Sequence, residues 1–257
     1  MTEVLKQDLP QVGKNVTSRP AWPFVSRAQP LFVERTEGAY LYLKDGTQIL
    51  DAAAGCIVVS IGHGREEVVE VMAKAAQTNS FVLPLWLTPE REALVNELQQ
   101  HWLPPHLTRS HFTSSGSEAN EAAVKMAVQY HVARGKPSKH IILTRSLSYH
   151  GATRATGGWS GHPARKKGLE QVLLKNPMIE TPYPLRCPLG PYHPDAEDYY
   201  IDNLQRTIDE VDAENIAALL AEPLCGASGG AIAPPANYWS RVQAILKAND
   251  ILLISDE

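Results

Sequence analysis

Thr113-Ser114-Ser115-Gly116-Ser117-Glu118-Ala119-Asn120 joins a short apolar run to a long amphipathic segment. Ser115 and Glu118 have the Ser-x-x-Glu spacing of a capping box, which predicts Ser115 as a helix N-cap. Ala119, Ala122, Ala123, Met126, Ala127 and Tyr130 then recur at i, i+3, i+4, i+7, i+8 and i+11. That spacing predicts one apolar stripe along a helix. Glu121, Lys125 and Gln129 lie off the stripe. The helix start offers backbone N–H groups at Gly116 and Ser117, a hydroxyl and the positive end of the helix dipole, the makings of an anion or phosphate site. Gly116 has no side chain to block an approaching group. A well-capped helix start without a ligand uses the same residue types, so both readings stand on this stretch alone.

Outward from this stretch the chain alternates. Ser110 to Thr113 reads as a strand, and the helix after it runs from Gly116 to Arg134, closed by Gly135. His140 to Thr144, Ile216 to Ala221 and Ile251 to Ser255 are further short apolar strands. Between them lie a Pro- and Gly-rich excursion over roughly 157–197, a helix with Ile201, Leu204, Ile208 and Val211 inward, and one with Tyr238, Val242, Ile245 and Leu246 inward. Near-continuous apolar strands alternating with helices predict an α/β fold, a mainly parallel sheet with helices on both faces. Upstream, Ala39 to Asp51 reads as a hairpin turning at Asp45-Gly46. Helices follow at Glu66 to Gln77, with Val68, Val69, Met72, Ala75 and Ala76 on one face, and from Thr88-Pro89 to Trp102. Residues 1–30, with four prolines, read as an irregular lead-in.

Composition narrows the function. The 257 residues are 44% hydrophobic and 20% charged, with a net charge of −4, enough apolar content for a packed core. The negative balance argues against nucleic acid or an anionic membrane as the main partner. No apolar run is long enough to span a bilayer, and Met1 to Arg19 lacks the apolar centre of a signal peptide. Cys56, Cys187 and Cys225 are odd in number and widely spaced. They give neither a disulfide framework nor a zinc signature, so no metal is expected and a cytoplasmic location fits best.

In open α/β sheets, ligands bind beyond the carboxyl ends of the strands. Four strands here are followed by conspicuous polar residues: Ser115-Gly116-Ser117, Tyr149-His150-Gly151, Glu222-Pro223 and Asp256-Glu257. Together they supply an anion cup, a flat aromatic ring, an imidazole and two acids. Pyridoxal phosphate has a phosphate, a ring to stack and a basic ring nitrogen that an Asp keeps protonated. A nicotinamide dinucleotide or a nucleoside triphosphate fits less well, because neither a Gly-x-Gly-x-x-Gly nor a Gly-x-x-x-x-Gly-Lys-Ser/Thr motif is present.

In order and spacing, Phe112 to Ala123, Ser148-Tyr149-His150-Gly151, Ala221 to Gly226 and Leu253-Ile254-Ser255-Asp256-Glu257 resemble the class III pyridoxal-phosphate aminotransferases. That group includes omega-amino acid and 4-aminobutyrate transaminases, and the likeness extends over roughly residues 35–257. It implies a fold type I enzyme that moves an amino group from an amine or amino acid to a keto acid, working as a homodimer. By position, Ser115, Gly116 and Ser117 would hold the cofactor phosphate. Tyr149 would stack on the ring, and Asp256 would pair with the ring nitrogen. Glu222 would lie near the ring edge and the substrate. His150 would support Asp256 or the ring, or serve as a structural histidine. Cys56 and Ile57, with Leu85 and Trp86, fall where the family lines its substrate pocket, or are plain apolar packing.

One part of the family's pattern is missing. Its catalytic lysine lies a few tens of residues beyond the position of Asp256, and the chain stops at Glu257. The resemblance thus implies an N-terminal portion: residues 1–55 as part of the small domain, and 56–257 as a large cofactor-binding domain truncated before the Schiff-base lysine. As written, such a chain is expected to be inactive. Alternatives of the same fold are a decarboxylase or an aminomutase; a non-catalytic truncated paralogue is another.

Overall fold

The structure, a computed structural model, describes residues 31–257; the lead-in expected over 1–30 lies outside the described residues. The chain divides into two compact units, Met1–Thr108 and Arg109–Glu257. This division by compactness falls at a different place from the 1–55 and 56–257 assignment made from the sequence, which concerns the domains of a complete enzyme.

In the first unit, β1 (Val33–Glu37), β2 (Tyr40–Leu43) and β3 (Gln48–Leu50) form an antiparallel sheet in that order. The β2–β3 hairpin turns at Asp45-Gly46 as expected; Asp45 accepts from the Thr47 amide at 2.9 Å. Ala54, Gly55, Cys56 and Ile57 then run through φ values of 45°, 57°, 62° and 71°, four successive residues in the left-handed region, which is costly outside glycine. The Asp51 carboxylate holds this turn by accepting from the Gly55 amide at 2.8 Å and meeting His63 Nε2 at 2.9 Å. Helix α1 (Glu66–Thr78) follows. The expected face at Val68, Val69 and Met72 forms, but these side chains remain 41–66% exposed. Helix α2 (Pro89–Glu97) starts at Thr88, whose hydroxyl accepts from the Arg91 amide, and continues through a π-helical turn to Trp102.

The second unit carries the parallel sheet. Its order is β5 (Met178–Ile179), β4 (Ile141–Arg145), β6 (Ile216–Ala221), β7 (Leu252–Ser255), and every neighbouring pair is parallel. β6 is buried along its whole length, as a strand covered on both faces must be. Alternate residues face opposite ways, except where a register shift against β4 near the start of β6 puts Ala217 and Ala218 on the same face. Leu143, Ile216 and Leu219 pack with Ile201, Leu204 and Ile208 of helix α6 (Ala196–Val211) and with Tyr238, Val242 and Leu246 of helix α7 (Tyr238–Ala248). Ile142, Ala218 and Leu220 pack on the other face against Val124 and Ala127 of helix α3 (Gly116–Ala133) and Trp159 of the short helix α4 (Arg154–Trp159). The excursion after β4 also contains the four-residue helix α5 (Pro163–Lys166). No helix among the described residues is long and apolar enough to cross a membrane.

Two expectations require correction. Residues 110–113 are not a strand. No strand among the described residues runs beside them, and an extended segment becomes a strand only through a ladder of hydrogen bonds. The buried face of α3 is Asn120, Val124, Ala127 and His131; of the expected stripe only Ala127 is buried, while Met126 is 51% and Tyr130 46% exposed. Partners decide this face: Asn120 Nδ2 reaches the His150 carbonyl at 2.9 Å, and His131 Nε2 bonds the Ala217 carbonyl at 3.0 Å. A buried polar group is tolerated where it finds a hydrogen-bond partner, although His131 Nδ1 has none among the described residues.

Candidate active site

A cleft of about 620 Å³ opens beyond the carboxyl ends of β4, β6 and β7, the end where parallel sheets place their ligands. Ser115, Gly116, Ser117, Tyr149, His150, Glu222 and Asp256 all line it, joined by Asn120, Gly151, Leu224 and Glu257. The remaining expected site residues, Cys56, Ile57, Leu85 and Trp86, belong to the first unit and are exposed there. Cys56 and Ile57 sit on the left-handed turn.

Ser115 is the N-cap as its spacing predicts, but the returning bond of a capping box goes to the Ser114 amide instead of the Ser115 amide. Ser115 Oγ accepts from the Glu118 amide at 3.2 Å, and Glu118 Oε2 accepts from the Ser114 amide at 2.8 Å. The N–H groups of Gly116 and Ser117 remain among the orphan donors of a first turn. A Cβ on Gly116 would meet no protein atom within 4 Å, so the space above the helix start is open to the cleft. Ser117 Oγ accepts from the Ala152 amide at 3.2 Å, which draws the 149–153 loop onto the helix. The approach at Gly151 is so close that a Cβ would collide with Ser117 Oγ and Thr156 Oγ1, and its φ of +132° also favours glycine.

Across the cleft stands Asp256, whose amide donates to the Ala221 carbonyl at 3.1 Å and so continues β7 along β6. Its Oδ2 meets His150 Nδ1 at 2.8 Å and Asn120 Nδ2 at 3.0 Å. No donor among the described residues meets Oδ1, which leaves that oxygen for a cationic N–H from the cleft. His150 is buried, and its Nε2 has no partner.

Glu222 follows β6 and is buried, which pushes its carboxyl above the usual range; Arg145 pulls the other way. Beside it the Cys225 thiol donates to the Leu147 carbonyl at 3.2 Å, and burial pushes its pKa to about 11. That thiol stays protonated and is a poor nucleophile. Tyr149 forms one wall, with the Arg165 guanidinium 4.3 Å from its ring centroid. The lining contains no lysine. Among the described residues no cluster of three His, Cys, Asp or Glu could hold a metal ion.

Two residues escaped the sequence reading. Asn120 lies within the quoted stretch but one position off the alanine stripe, near the start of α3, where no spacing in the sequence marks it as buried. Arg145 ends a strand, and no local pattern distinguishes it from a solvated arginine.

The arrangement as a whole has a phosphate-sized cup at a helix start, an aromatic wall, and a carboxylate fixed from behind to face a cationic nitrogen. The chain belongs to the class-III aminotransferases: the family's sequence model matches residues 24–257. It is 33% identical to an uncharacterized aminotransferase of Bacillus subtilis, an alignment covering 91% of this chain and 52% of that protein. It is 35% identical to gamma aminobutyrate transaminase 3, chloroplastic, of Solanum lycopersicum, over 89% of this chain and 44% of that one. Among solved structures, the amine transaminase of an uncultivated Pseudomonas species, in its PLP-bound form, superposes with a TM-score of 0.86 at 32% identity. The match covers 93% of this chain and 56% of that one. An (S)-enantioselective omega-transaminase from Thermomicrobium roseum gives 0.84 at 31%, covering 92% and 54%. These similarities establish the fold as that of the PLP-dependent transaminases. The chain spans about half the length of the curated relatives it matches.

Proposed function

We propose that the cleft binds pyridoxal phosphate and that the complete protein transfers an amino group from an amine or amino acid to a keto acid. The observation that carries this reading is the placement of the α3 start and Asp256 in one cleft walled by Tyr149. The open space over Gly116, the unmet Oδ1 and the cleft volume suit a phosphorylated pyridine. In this reading Ser115, Gly116 and Ser117 take the phosphate through backbone N–H groups and the Ser117 hydroxyl. Tyr149 stacks on the ring. Asp256, oriented by His150 and Asn120, accepts the N–H of the ring nitrogen and keeps it protonated. Glu222 stands at the ring edge, where it accepts from the substrate's amino group. When bound, the cofactor supplies an electron sink that eases loss of a proton from the carbon bearing the amine. Transfer is balanced: the donor leaves as a ketone, aldehyde or keto acid, and the acceptor keto acid leaves as the amine.

Cys56 and Ile57, with Leu85 and Trp86, are proposed to line the substrate pocket. Residues 1–55 are proposed to belong to the small domain of the complete enzyme and 56–257 to its large domain. A homodimer completes the reading, supported by the likeness to the family. The three free cysteines support a cytoplasmic setting.

Titration of the 257-residue chain with pyridoxal phosphate, followed by protein fluorescence, tests the cleft. Saturable binding that Asp256→Ala and Ser117→Ala weaken is expected; binding indifferent to both would refute the assignment. For the complete protein, keto-acid-dependent consumption of an amine without release of carbon dioxide separates transfer from decarboxylation.

A further inference from the structure

Arg145 ends β4 with 1% of its side chain exposed. Its guanidinium donates to the backbone carbonyl of Glu222 and stands 3.6 Å from Oε2 of the same residue, whose side chain is 8% exposed. Oε2 has no hydrogen-bond partner among the described residues, and neither has Arg145 Nε. The contact to Oε2 is thus an ion pair in a buried place, where charges interact strongly and an unpaired one is costly.

The other groups around the pair are few. His150 and Asp256 face Glu222 across the cleft, the Gly226 amide and Cys225 lie beside it, and the Tyr238 hydroxyl and Trp239 ring face Arg145. Of these, Arg145 alone is a cation at every working pH.

We propose that Arg145 is a positioning residue whose buried guanidinium holds Glu222 as a carboxylate turned into the cleft. Glu222 then meets a bound molecule as a hydrogen-bond acceptor, never as a donor. The group it selects is an N–H-bearing amine or ammonium, in place of a carbonyl or carboxylate oxygen. The identity of that molecule as an amine donor rests on the pyridoxal-phosphate reading of the cleft; the charge state of Glu222 does not. Burial disfavours the ionised form of both partners, and at Glu222 the Arg145 charge is the largest of the influences that oppose this, ahead of His150 and the Gly226 amide. With the cation removed, only His150 and the Gly226 amide still oppose burial and the Asp256 charge, and Glu222 takes up a proton.

Infrared difference spectroscopy on the 257-residue chain at neutral pH reads that proton directly. The wild-type minus Glu222→Gln spectrum should show a carboxylate and no protonated-carboxyl C=O band. Arg145→Met should gain that band, and Arg145→Met/Glu222→Gln should lose it. Arg145→Lys, which keeps the charge, should lack it. A protonated Glu222 in the wild type overturns the proposal without recourse to any Arg145 variant. So does a folded Arg145→Met, checked by circular dichroism, that lacks the band. Titrating the same samples with pyridoxal phosphate separates the two readings: a wild type that fails to bind it refutes the cofactor assignment, while the bands still decide the role of Arg145.

Discussion

His150 Nδ1 lies 2.8 Å from Asp256 Oδ2, although the two residues are 106 positions apart in the chain. Asn120 reaches the same oxygen at 3.0 Å from a third element. Two donors on one oxygen fix the carboxylate plane and aim the other oxygen at the cleft. Asp256→Asn keeps the shape and removes the charge, so its affinity for pyridoxal phosphate is expected to fall on the order of 100-fold. His150→Ala removes one of the two hydrogen bonds that orient this carboxylate and should cost about tenfold, or about 1.4 kcal/mol. Fluorescence titration measures both, and thermal scans confirm that the variants remain folded. Equal affinities across the series would contradict the role given to Asp256.

Gly151 marks the closest approach of the loop to the α3 start. Gly151→Ala would drive a methyl group into Ser117 Oγ and Thr156 Oγ1 at a φ of +132°. Overpacking of this kind costs about 1–3 kcal/mol, and the backbone conformation adds to it. A lower melting temperature and a loss of anion affinity are expected together, because the collision displaces the cup itself. A Gly116→Ala control, which meets no protein atom, should melt like the wild type and lose only ligand affinity.

Lys139 is wholly buried just before β4, at the end of the sheet away from the cleft. Its Nζ donates to the carbonyls of Ala213, Ile216 and Asn249 at 2.6, 3.2 and 3.1 Å. One ammonium therefore ties the turns that lead into β6 and β7 to the start of β4. Lys139→Met leaves those carbonyls without this donor and should destabilise the fold by about 2–4 kcal/mol. In the folded fraction, affinity for pyridoxal phosphate should stay unchanged. A melting curve beside a binding curve separates the two effects; weakened binding without lost stability would be the contrary result.

Asp250 ion-pairs with Arg134 and Lys136, each at 2.7 Å. Hydrogen bonds from those two side chains, Lys136 first, hold its carboxyl well below the usual aspartate range. Because the folded value is depressed, the stabilisation is complete above about pH 3.8 and is lost as pH falls below it. Asp250 has a φ of 52°, a conformation that asparagine tolerates. Asp250→Asn therefore isolates the charge and should cost about 1 kcal/mol at neutral pH. The difference in melting temperature should shrink as the pH is lowered past the ordinary aspartate range and with added salt; a difference constant down to strong acid would refute the ion-pair account.

Elements written in nearby residues were legible beforehand. Ser115 and Glu118 announce the start of α3 because an N-cap bond is a contact three residues long. Asp45-Gly46 announces the hairpin for the same reason, and the short unbroken apolar run Ile216 to Ala221, set between helical segments, reads as a strand covered on both faces. The identities of the cleft residues were also legible, since a parallel sheet gathers whatever follows its strands at one edge.

What the sequence determined by itself was therefore local: caps, turns, strand runs, and which residue types arrive at the carboxyl edge. Tertiary structure alone decided which face of α3 is buried, because hydrophobic period selects apolar positions, whereas Asn120 and His131 are buried by the partners they find on distant segments. It alone denied a strand to residues 110–113, since pairing is a property of two segments and not of one. It alone joined Arg145 to Glu222 and His150 to Asp256. Those pairings depend on a few ångströms of separation across 77 and 106 residues of chain, which no spacing along the sequence encodes.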